Sequence, residues 1–298
     1  MAAAELGTRY RQTAAGSMGE TVRHGSYGCR VRRGQGMKLM SGSLAGLKTV
    51  LRQESASAES RAVGQACRML DIQTTMCALE RLEDVAEGLR AGWAMPVGSV
   101  QFLREAMRVA GLKEPAGMSY PPALAWMMKR RWRQTVAAEV IAGEFVKPVA
   151  TKAFTGFVVP GLRDEHALDA HEKEQLEALR GLPESTAVYA CERVTWLCEW
   201  RIYVHAGLEV GRERYDPDGR EDAPLPAELV VGQAIADMVR TYGQEATFAL
   251  DVGVLSNGET ALVEVNDAFA VGLYGRSLTV SQYLEMLWTR WKQIASAG

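Results

Sequence analysis

Residues 246–267, ATFALDVGVLSNGETALVEVND, constrain the fold more than any other stretch of this chain. Two alternating apolar runs flank Asn257-Gly258, the dipeptide best suited to a type I′ turn, in which both central residues need positive φ. The pattern predicts a hairpin with a two-residue loop. That loop sets Asp251 opposite Glu264 and Ala249 opposite Asn266, and period-2 alternation sends Leu250, Val252, Val254, Val263 and Val265 to the buried face. The other face then presents Asp251, Glu264 and Asn266 side by side.

Directly opposed carboxylates destabilise a sheet. Protonation, a Lys or Arg, or a metal ion must compensate, and removing either carboxylate is expected to relieve the repulsion. A hard cation such as Mg²⁺ takes one or two carboxylates together with phosphate oxygens, and this cluster supplies that donor set. A solvated acidic face holding a structural Lys or Arg is the alternative.

The chain has 298 residues, room for two folded units. Its net charge of −2 demands neither nucleic acid nor an acidic membrane as partner. Five cysteines without a CxxC pair argue against a disulfide framework or zinc ribbon and suit a reducing compartment. No apolar run is long enough to span a bilayer, so a cytoplasmic protein with no membrane partner is expected. Residues 1–36 read as a disordered leader; an organelle transit peptide, or a start at Met37, is the alternative.

Residues 37–122 alternate strand and helix patterns: GMKLM at 36–40, a helix over 58–70, IQTTMCAL, LEDVAEGLR, GWAMPV, then a helix capped by Ser99 and stopped at Gly111. That order predicts an N-terminal open α/β layer of mostly parallel strands. Residues 123–298 read as α+β. A helix over 123–141 carries Lys129, Arg130, Arg131 and Arg133. FVKP and TKAFTGFVV follow as strands, then a polar helix to Arg180, STAVYACERV, a hairpin turning at Ala206-Gly207, a helix over 226–242, the hairpin above, and a terminal helix over 279–295.

Lys147 ends the strand EFVK, and Lys152 follows in the loop VATKAFTG, so two ammonium groups that can neutralise phosphate converge. A two-residue turn at Ala206-Gly207 sets Glu199 opposite Arg214 and Arg201 opposite Arg212. Opposed arginines call for an anion over them. His205 reads as polar surface, and no P-loop, GxGxxG, HExxH or GxSxG motif occurs.

The ordered set FVKP, a Lys-bearing loop, ACERV, EWRIYV, FALDVGV and LVEVND resembles the ATP-grasp superfamily of carboxylate–amine ligases over about residues 132–274. It is most similar to a compact group common in phages and bacteria. The resemblance implies an ATP-grasp fold of two α+β subdomains behind the N-terminal α/β domain, with ATP and Mg²⁺ as cofactors. By the same resemblance Lys147 and Lys152 hold phosphates, and Glu192, Val194 and Glu199 line the nucleotide pocket. Arg201 and Lys152 act on the transferring group, and Asp251, Glu264 and Asn266 are the metal ligands. The implied reaction joins a small-molecule or peptide carboxylate to an amine through an acyl-phosphate, with 267–276 as a wall of the acceptor site. A kinase on this scaffold and a nucleotide-sensing or nucleic-acid-associated module are the rival readings. The chain departs from the family by lacking a Gly/Ser-rich phosphate loop and by offering four cations (Lys129, Arg130, Arg131, Arg133) where relatives carry one lysine.

Overall fold

The structure, a computed structural model, describes residues 44–54, 57–150, 153–161, 165–214 and 222–297. The leader, the strand expected at 36–40 and Lys152 lie outside the described residues. Strands β1 (Thr49–Gln53), β2 (Gln73–Cys77) and β3 (Ala94–Val97) form a parallel sheet in the order β2-β1-β3, the expected α/β layer. Helix α1 (Ala58–Met69), the short α2 (Ala86–Arg90) and α3 (Val100–Ala110) connect and cover it. Ser57 and Ser99 accept hydrogen bonds from the Ser60 and Phe102 amides and so start α1 and α3. Gly111, at φ 71°, ends α3 in the left-handed conformation. Strand β1 went unread in the sequence because only Val50 and Leu51 are apolar in it.

Four strands follow in a second sheet, ordered β4-β7-β5-β6 and antiparallel throughout: β4 (Trp132–Val136), β5 (Phe145–Pro148), β6 (Phe157–Val158) and β7 (Ala187–Cys191). Helix α4 (Ala170–Arg180) backs it, burying Leu176 and Leu179 against Val146 and Val188. The helix expected over 123–141 is absent. Its periodicity came from Leu124, Met127 and Met128, which a tight 3₁₀ turn over Pro122–Met127 buries; the chain then reverses at Lys129, φ 49°, and enters β4.

The third sheet, β11-β10-β8-β9, is the largest: β8 (Trp196–His205), β9 (Leu208–Arg214), β10 (Phe248–Leu255) and β11 (Thr260–Asp267). One face presents Ile202, Val204, Phe248, Leu250, Val252, Leu262 and Val265 to Val231, Ala234 and Met238 of α5 (Glu228–Tyr242). On the other face Tyr203 and Ala249 join an apolar cluster shared by the parallel sheet, α1, α3 and the last helix, α6 (Val280–Ser296). Among the described residues no helix is long and apolar enough to cross a membrane.

Both hairpins carry a bulge, with opposite consequences. In β10–β11 the closing pair is Leu255 with Glu259, so the loop holds three residues, with Gly258 at φ 85°. A one-residue bulge then separates Asp251–Glu264 from Val252–Leu262. The longer loop and the bulge cancel, and Asp251 faces Glu264, and Ala249 faces Asn266, as expected. Val263 is the exception: it is displaced from the core face, where Leu262 takes its place. In β8–β9 the turn has the expected two residues, but a bulge at Tyr203/Val204 is uncompensated. Arg201 therefore faces Glu213, Arg212 faces Ile202, and Arg214 faces Trp200, not Glu199. A slip of one residue moves a side chain to the opposite face of a strand. Arg212 consequently binds Glu209 and Glu228, and the expected arginine pair does not form.

Candidate active site

Between the second and third sheets lies a cleft of ≈ 650 Å³. The edge strand β11 contributes Val263, Glu264 and Asn266 to it, β5 contributes Lys147, and the segment joining β7 to β8 contributes Glu192, Val194 and Trp196. Glu199 lines it too. Of the sequence candidates, six reach this cleft directly: Lys147, Glu192, Val194, Glu199, Glu264 and Asn266. Arg201 and Asp251 lie behind them in the sheet.

In-register pairing sets Arg201, Asp251 and Glu264 in one row across β8, β10 and β11. Arg201 grips Asp251 with two hydrogen bonds, Nε to Oδ1 at 2.8 Å and a terminal nitrogen to Oδ2 at 2.5 Å. Asp251 is fully buried. The Asn266 amide donates to Asp251 Oδ2 at 2.8 Å and to Glu264 Oε1 at 2.9 Å, bridging the facing carboxylates. Lys147 reaches across the cleft to form an ion pair with Glu264. The repulsion expected between Asp251 and Glu264 is thus offset by Arg201 and Lys147, and the pair does not by itself require a metal. Burial pushes the Glu264 carboxyl up, but Lys147 and Asn266 pull harder and leave it below the usual carboxylate range.

Among the described residues no three His, Cys, Asp or Glu side chains cluster as a metal site. Mg²⁺ here would draw on two carboxylates and an amide oxygen. The donor chemistry fits a hard cation that completes its shell with phosphate oxygens from the cleft. The Asn266 amide nitrogen and the Lys147 ammonium, which now occupy carboxylate oxygens, would have to give way.

Of the four cations preceding β5, Arg130 is the one that lines the cleft. It donates to the carbonyls of Met128 and Leu262 and lies 5.6 and 5.5 Å from the ring centres of Tyr120 and Trp196. Lys129, Arg131 and Arg133 pair with Glu259, Glu192 and Glu144. Tyr120 and Trp196 were missed by sequence reasoning. Tyr120 sits in a Gly/Pro-rich stretch that reads as a mere boundary, and no local pattern distinguishes Trp196. Above Lys147 the chain passes so close that a Cβ on Gly156 would sit 2.6 Å from the Phe145 ring, which explains a glycine there.

The loop after Asn266 is pinned. Asp267 is held by both nitrogens of an Arg290 fork, at 2.7 and 2.5 Å. The Tyr203 hydroxyl donates to Gly272 O and accepts from the Tyr274 amide, and Tyr283 donates to Val271 O. Glu213 accepts from the amides of Arg276 and Ser277. These contacts hold the Tyr274 ring 4.9 Å from the Arg201 guanidinium carbon.

Two α+β units closing on a cleft, the larger presenting Asp251, Glu264 and Asn266 from adjacent strands, with a parallel-sheet unit beside them, define an ATP-grasp protein. The chain belongs to the ATP-grasp domain family that its residues 127–286 match, the second family of its clade. Its fold is similar to D-alanine–D-alanine ligase from Bacillus anthracis complexed with ATP, at 12% identity and TM-score 0.52, over 84% of this chain and 98% of that one. A second structure of that ligase aligns at 14% identity and TM-score 0.53, over 84% and 99% of the two chains. A RimK domain protein ATP-grasp from Sphaerobacter thermophilus aligns at 15% identity and TM-score 0.50, over 80% and 98%. At these identities the likeness speaks for the fold. No curated protein sequence matches the chain.

Proposed function

We propose that the chain is a cytoplasmic, ATP- and Mg²⁺-dependent ligase that joins a carboxylate to an amine through an acyl-phosphate and releases ADP. The observation that carries this reading is the cleft itself, where Lys147 from one sheet meets Glu264 and Asn266 from the other. On this reading the triphosphate lies along Lys147 and Arg130, and the base meets the Glu192–Val194 segment beside Trp196. Bound Mg²⁺ would offset charge on the transferring phosphoryl group. Arg201, pre-positioned by Asp251 and Tyr274, would face the acyl-phosphate, and residues 267–276 would wall the acceptor site. Four described cysteines, all free and buried, suit a reducing compartment. Ligases among the fold neighbours support this reaction class over a kinase.

The test is a condensation screen against amino acids and peptides, followed by ¹⁸O tracing once a carboxylate substrate is found. An acyl-phosphate route moves one labelled carboxylate oxygen into inorganic phosphate. Stoichiometric AMP, or phosphate retained on the acceptor, would overturn the proposal.

A further inference from the structure

The cations offered to phosphate and the carboxylates offered to metal are at present each other's partners. Lys147 holds Glu264, and Arg201 holds Asp251. Both pairs are sheltered: the Lys147 and Arg201 side chains are 12% and 8% exposed. Resting on the nucleotide-site reading above, we propose that a divalent cation and a nucleotide polyphosphate enter this cleft only as a pair, by exchange of these ion pairs.

Consider each ligand alone. A polyphosphate that recruits Lys147 strips Glu264 of its counter-ion and places two anions together. A divalent cation that recruits Glu264 and Asp251 strands an ammonium and a guanidinium beside it with little access to water. Leaving one member of a buried pair without its partner is strongly unfavourable. When both ligands arrive, two protein ion pairs become lysine or arginine with phosphate and carboxylate with metal, and no charge is left alone. The coupling is reciprocal: whatever factor the metal adds to nucleotide affinity, the nucleotide adds to metal affinity.

The experiment uses the full chain and two probes: a non-hydrolysable ATP analogue titrated in EDTA or Mg²⁺, and Mn²⁺ alone followed by electron paramagnetic resonance. The wild-type chain is expected to bind the analogue at least roughly tenfold more weakly in EDTA, and to retain no Mn²⁺ without nucleotide. Glu264→Gln frees Lys147, so its metal-free affinity for the analogue should rise above the wild type's. Lys147→Met frees Glu264, so Mn²⁺ should bind this variant on its own. The rise in metal-free affinity separates ion-pair exchange from mere loss of a metal ligand, which would lower only the affinity measured in Mg²⁺. Equal wild-type affinity in EDTA and Mg²⁺, or an unchanged metal-free affinity in Glu264→Gln, overturns the exchange while leaving the nucleotide site standing. No binding under any condition overturns both.

Discussion

Asp251 shows how far burial changes the meaning of a residue. Read from sequence, it is one of two repelling carboxylates, and its removal should relieve strain. In the structure it is fully buried and is the bidentate partner of Arg201, so its loss leaves a guanidinium unpaired in the interior. Asp251→Asn should therefore lower stability by about 3 kcal/mol in denaturant unfolding, the opposite of the sequence expectation. Glu264→Gln should cost far less, because Lys147 and Glu264 keep some contact with water. His205 makes a second residue-scale point. Burial, with Lys292 adding to it and Glu245 opposing, holds the imidazole below its ordinary pKa, and its Nε2 lies 3.0 Å from Thr289 Oγ1. The unfolded chain then takes up a proton that the folded chain refuses. His205 thus contributes stability above its unfolded pKa of roughly 6.5 that is lost as the solution is acidified toward the folded value. Unfolding measured between about pH 7 and 5.5 should lose stability with acidification, and His205→Gln should flatten that slope. Neither property was legible in the sequence, because both depend on what packs above the side chain. The identities of the carboxylate cluster were legible, since a turn dipeptide and period-2 alternation determine which side chains meet.

Among the elements, the two hairpins explain what pattern reading can and cannot reach. Its loop residues and alternation made Asp251–Glu264 predictable, although the true loop is one residue longer and a bulge restores the register. The same logic failed at Arg201 and Arg212, where one bulge went uncompensated and the faces exchanged. Bulges leave little trace in a single sequence, since any residue type can be the extra one. The loop at 267–276 is held by a different device. Gly275 has φ 60°, and a Cβ there would sit inside the Glu213 carboxylate that receives the Arg276 and Ser277 amides. Gly275→Ala should cost more than about 1 kcal/mol. It should also loosen Tyr274 over Arg201, read as faster amide exchange across 271–277 with the nucleotide cleft unchanged.

At the scale of the whole molecule, the N-terminal sheet does not complete its core alone. Its apolar cluster includes Tyr283, Trp288 and Trp291 of α6 and Phe269 and Val271 of the loop after β11. Trp288→Ala should cost about 3 to 5 kcal/mol. Because that side chain serves one cluster shared by both ends of the chain, the parallel sheet and the third sheet should lose protection together in hydrogen exchange. Separate transitions would show that they are independent units. The alternation of strand and helix announced the parallel layer, but no local pattern could reveal that its cover comes from the last helix.

That shared core sets an order of events during synthesis. Domains ordinarily fold from the N-terminus as the chain emerges, each closing before the next is made. Here the segment that seals the first sheet, Val280–Ser296, is translated after every strand in the protein. Until then the inner faces of α1 and the parallel sheet stay open to water and to other chains. The first part of this protein to be made is therefore the last to be finished, and its exposure to chaperones lasts as long as translation itself.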